Sequence, residues 1–236
     1  MATTSTTSSQ LAGEKIVPID KYPLNYNPKG IPEQTDRLRE LFPVLGYVDE
    51  RSLNYPLPNG AEEWFAIPRW QKVALTYADA VQIVLNTIEK TRNGKFYNDR
   101  EGFINAERFR QSSKTAEMFQ ILSRQQKHPD ILVVPCQFGL RHCGRSVRQA
   151  TEFMGATEFG LDTFSIGIML LTHPERLGHH NDPWVDCAGD EFSDGGYSFD
   201  LAPFFKFHGF FGEVELGAGN VVIANSNFGS ASAFLP

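Results

Sequence analysis

The chain has 236 residues, of which 41% are hydrophobic, 21% charged and 12% aromatic, and its formal net charge is −6. That balance excludes a disordered chain or a fibre, and a chain of this length hides roughly 70–75% of its unfolded surface, so its core closes without disulfide or metal. The negative charge argues against nucleic acid as a partner, and the absence of an apolar run of about 18 residues argues against a membrane span.

Residues 1–14 read as a solvated Ser/Thr-rich tail, since MATTSTTSSQ has no basic or apolar region of a secretory signal and no arginines of a transit peptide. Residues 15–60 are rich in proline and read as an extended arm with one short helix beginning near Pro32 and stopped by Pro43. Such an arm wraps either its own domain or a neighbouring subunit. Residues 61–236 read as a single α/β domain.

Glu63–Trp70 is dense in aromatic and branched residues and predicts a strand, which Pro68 pushes to a sheet edge. Thr76–Arg92 predicts a helix: Thr76 and Asp79 form the cap, Val81, Val84, Leu85 and Ile88 make one apolar stripe, and Asn93-Gly94 ends it. Ser112–Gln126 predicts a second helix and Ser146–Met154 a third, with Ser146 and Gln149 as its capping box. Ile131–Val134 is wholly apolar and reads as a central strand, as does Thr163–Leu171, whose branched residues and short length favour strand over helix. The order implies a βαβ unit with two parallel strands.

Residues 184–236 read as an antiparallel β portion, with Pro203–Phe207 and Phe210–Leu216 as a hairpin about His208-Gly209 and Val221–Ile223 as a further strand. This last quarter is chemically distinct. Residues 177–236 hold one lysine, Lys206, against eight acids, and also nine of the 19 phenylalanines, so they form a folded acidic segment. The expected architecture is α/β, a mixed sheet with a parallel centre, helices on its faces and a Phe-rich antiparallel end; a two-layer α+β arrangement is the alternative.

Two segments could carry chemistry. The loop 136–146 leaves a strand and enters a helix, where anions bind in open α/β sheets, and it supplies Arg141, Arg145 and Ser146 as a candidate anion site. The competing reading pairs these arginines with the chain's own acids in residues 177–236. Cys143 precedes Arg148 by four intervening residues, one short of the cradle that a cysteine phosphatase needs. The segment Thr172–Phe192 concentrates metal-ligand types, and His173, His179, His180, Asp186 and Cys187 are the candidate ligands, with zinc as the ion that thiolate and imidazole favour. In that reading Asp190 or Glu191 is the general base of a hydrolase.

Three functions compete. The first is a protein that acts by binding or self-assembly, through the arm and the aromatic hairpin. The second is a zinc-dependent hydrolase, and the third a binder of a small anion at 136–146. Three cysteines, an odd number, favour free thiols and a reducing, cytoplasmic compartment.

Overall fold

Helix ends are set by local hydrogen bonds, and the computed structural model, which describes residues 19, 21–22, 25–195 and 198–236, places them close to the sequence signals. Thr76 caps α2 (Tyr77–Thr91) by accepting from Asp79 N–H, and Asn93 and Gly94 follow with φ of 55° and 78°. Ser112 caps α3 (Ser113–Gln125), and Ser146 with Gln149 forms a full capping box on α4 (Val147–Phe153). Helix α1 (Ile31–Leu41) starts with Pro32 in its first turn and buries Ile31 and Leu38.

Two sheets organise the rest. The first has the order β1 (Glu63–Pro68), β4 (Ile131–Gln137), β11 (Ser232–Phe234), β5 (Glu158–Gly160), and all its pairings are antiparallel. Strand β1 is an edge, as Pro68 requires, and β4 is buried at all seven positions. The second sheet runs β10 (Phe228–Ser230), β6 (Trp184–Asp186), β8 (Leu201–His208), β7 (Asp190–Phe192), β3 (Phe109–Gln111). Strand β9 (Glu213–Asn220) pairs with β8 and with β2 (Phe96–Asn98). It is mixed: β6–β10 and β2–β9 are parallel, and the remaining pairs are antiparallel. The C-terminal residues link the sheets, since β10 and β11 are separated only by Ala231, which is fully buried and donates to Asp186 O.

The α/β class with a mixed sheet and a Phe-rich antiparallel portion holds. One element changes type: Thr163–Thr172 is not a strand but a helix, α5. All ten of its residues are buried, so no polar stripe betrays the helical period, and a short apolar run then looks like a strand. Its start is specified by Asp162, which accepts from Ser165 N–H at 2.7 Å. Gly167 lets α5 lie directly on α2, because a Cβ there would sit 2.5 Å from Val84 Cγ1. The parallel pairs therefore lie in the second sheet and not between β4 and residues 163–171. Residues 221–223 form no strand, and the hairpin arms extend to Leu201–His208 and Glu213–Asn220 about the turn 209–212.

The described part of the arm wraps its own domain. Tyr26 is buried, Tyr22 OH donates to Glu62 Oε1 at 2.6 Å, and Lys29 N–H donates to His173 Nε2 at 2.9 Å. The predicted tail, residues 1–14, lies outside the described residues. No helix among the described residues is long and apolar enough to cross a membrane.

Candidate functional site

The two polar loops meet, and Arg176 joins them. Its guanidinium is 0% exposed, donates to Phe138 O and Pro183 O at 2.9 Å each, and lies over the rings of Tyr22 and Phe138 at 4.6 and 5.2 Å. A buried guanidinium needs acceptors and a counter-charge. Backbone carbonyls satisfy its two terminal nitrogens, Nε has no hydrogen-bond partner, and the half-buried Glu62 supplies the counter-charge. Glu62 also accepts from Tyr22 OH and from Phe138 N–H, while burial raises its pKa above the ordinary carboxylate value.

The basic loop is neutralised from within. Glu158, 2% exposed on β5, accepts from Arg141 Nε at 3.1 Å, His142 Nε2 at 2.8 Å and Ser232 Oγ at 2.6 Å. Despite its burial, these donors hold Glu158 down to a pKa of about 2; it is a carboxylate at neutral pH and His142 Nε2 must therefore carry the donated proton. Arg145 donates to Arg141 O at 2.9 Å and stacks on Phe153. Ser146 Oγ accepts from Gln149 N–H, which closes the helix end an anion would use. The arginine–acid pairing foreseen for this loop is made with Glu158, outside the acidic last quarter. Arg141, Arg145 and Ser146 thus lie close in sequence and space, each engaged by its own chain.

The metal-ligand types are dispersed. His173 is 0% exposed; its Nε2 accepts from Lys29 N–H, and its Nδ1 lies 2.9 Å from Thr172 Oγ1. Burial, aided by the Lys29 charge, lowers its pKa to about 4, so it is neutral, with its free lone pair already engaged. His179 and His180 are exposed, their rings 4.0 Å apart. Asp186 and Cys187 are buried at the other end of the segment, where burial pushes Asp186 up to about 7 and Cys187 above its usual range. Among the described residues, no three His, Cys, Asp or Glu side chains are arranged to hold a metal ion. The zinc set His173, His179, His180, Asp186 and Cys187 therefore does not converge, and all three cysteines are buried free thiols. Of the two proposed bases, Glu191 pairs with Arg110 at 2.6 Å, and Asp190 is engaged at α5.

That engagement forms a polar cluster that sequence spacing misses. Asp190 accepts from Tyr77 OH at 2.7 Å and from Thr163 N–H at 2.6 Å. Asp162 accepts from Ser165 N–H and, at 2.5 Å, from Gln111 Nε2. Two buried acids thus satisfy two of the orphan amides at the start of a helix that is buried throughout. Burial raises the pKa of both, and for Asp190 the Asp162 charge raises it further. The available signal was the Asp immediately before an apolar run, which is a helix cap.

The aromatic hairpin divides its rings. Phe205 is fully buried, and Phe204 stacks on Trp184 at 4.9 Å. Phe210 and Phe211, at the turn, are 88% and 63% exposed and meet edge-to-face at 4.9 Å. Compared with protein families, characterised proteins and solved structures, the chain matches none of them.

Proposed function

We propose that the protein acts by binding, as a self-associating chain whose contact surface is the tip of the β8–β9 hairpin. The observation that carries this is the pair Phe210–Phe211, held out to water on a hairpin with eight paired residues in each arm. Large exposed rings on an ordered support are the ordinary mark of an interaction surface. The edge-to-face pair has a geometry that a second tip can repeat across a twofold axis.

Magnitude decides the strength. Burying one phenylalanine contributes about 1.5–3 kcal/mol, so four rings in a symmetric contact contribute roughly 6–12 kcal/mol, against an association cost of about 4–15 kcal/mol. The association is therefore weak and concentration-dependent, not obligate. Arg141, Arg145, Ser146, His173 and Glu191 are engaged by their own chain, and among the described residues the zinc candidates do not converge, which supports binding over catalysis at those positions. Three free buried thiols suit a reducing compartment, which supports a cytoplasmic location.

Light scattering across a concentration series tests the reading. The wild-type mass rises with concentration, and the Phe210→Ser/Phe211→Ser double variant stays monomeric. A wild-type mass fixed at the monomer value across the series would overturn it.

A further inference from the structure

A cleft of about 380 Å³ opens on a different part of the molecule, between the end of β1, helix α3 and the start of α5. Its volume lies within the range of small-molecule sites. Helix α3 forms its long wall: Ala116, Phe119, Ser123 and Arg124 line it in turn. Ala116, Phe119 and Ser123 recur at steps of three and four along one helical face and Arg124 extends it, so the wall is about 12 Å long. Ile67, Leu132 and Phe164, each 1% exposed, give the cleft an apolar floor.

The two ends of the wall differ in charge. At the α3 N-terminal end stand Gln111 and Asp162, already bonded to each other. At the C-terminal end stand Arg124, His128 and Arg69. Lys127 and His128, with φ of 58° and 55°, reverse the chain there and bring His128 Nδ1 to 3.1 Å from Ser123 Oγ. Arg69 Nε donates to Pro129 O at 2.6 Å, which fixes its guanidinium at the same end. Among the described residues no carboxylate pairs with Arg69 or Arg124. The nearby acid, Asp130, is engaged by Lys72 at 2.8 Å and by the N–H groups of Gly46 and Tyr47. This end therefore presents two guanidinium groups without a counter-ion, beside an apolar trough.

We propose that this cleft binds a small organic acid: an aromatic or aliphatic body lies along Phe119, Leu132 and Phe164, and its anionic group meets Arg124 and Arg69. Guanidinium recognises a carboxylate or sulfonate through paired N–H donors, and the trough excludes water from the body. A neutral ligand of the same shape leaves both guanidinium groups without a counter-ion. The site is separate from the hairpin tip and does not depend on self-association.

Fluorescence titration of the full chain with anilinonaphthalene sulfonate tests this, beside its uncharged analogue phenylnaphthylamine. Wild type binds the sulfonate saturably, with one site per chain, and binds the uncharged analogue about tenfold more weakly. Arg124→Gln, at an exposed helical position, weakens sulfonate binding about tenfold, and Arg124→Lys, which keeps the charge without the paired donors, restores only part of it. The Phe210→Ser/Phe211→Ser variant binds like wild type. Absence of saturable binding, equal affinity for the two probes, an unchanged Arg124→Gln variant, or loss of binding in the hairpin variant would each overturn the proposal.

Discussion

Replacing Glu158 by glutamine removes the charge on which Arg141, His142 and Ser232 converge. The carboxyl titrates near 2 in the fold against 4.5 unperturbed. That gap corresponds to about 3 kcal/mol of favourable interaction. Arg141 is 41% exposed, so solvent screens part of its share, and about 2–3 kcal/mol is the expected loss at pH 7. A depressed acid contributes stability that is full above its unfolded pKa and lost as pH falls through its folded one. The advantage of wild type over Glu158→Gln is therefore constant above about pH 5, drops to roughly half at pH 3 and vanishes towards pH 2. Urea unfolding of both chains at pH 7, 5 and 3 measures this. A variant within about 0.5 kcal/mol of wild type at pH 7, or a gap unchanged at pH 3, would refute the reasoning.

Asp186 carries the opposite sign: burial raises it to about 7, so its ionisation costs stability as pH rises from 3.8 through 7. Asp186→Asn is expected to raise the melting temperature, with a gain at pH 8 exceeding that at pH 5 by about 2.5 kcal/mol; equal gains at both would contradict it. Gly189→Ala places a Cβ 2.5 Å from Gly160 O and 2.7 Å from Leu161 C, both backbone, and is expected to destabilise by about 3 kcal/mol. Gly155→Ala, with nothing within 4 Å, is expected to be neutral or to stabilise by about 0.5 kcal/mol, and denaturant midpoints compare the two.

What was legible in the chain was what is local. Thr76, Ser112 and Ser146 cap helices through residues three positions away, so their spacing carried the signal. The uniformly apolar Ile131–Val134 marked a buried strand for the same reason. Helix α5 escaped because burial on every side erases the period on which a helix is recognised, and only Asp162 marked its start. Glu158 escaped because its donors come from residues 141, 142 and 232, which the sheet brings together and no sequence window contains. The density of metal-ligand types in 173–191 misled because composition says nothing of direction: His173 turns inward to Lys29 N–H while His179 and His180 face solvent. The cleft along α3 draws its walls from residues 67 to 165, and likewise leaves no mark in any one stretch.

Hydrogen exchange at low and high protein concentration reads the proposed contact surface directly. Amides of residues 208–213 are expected to gain protection as concentration rises, while those of β4 stay equally protected throughout. Exchange at the hairpin tip that does not depend on concentration would contradict self-association through Phe210 and Phe211.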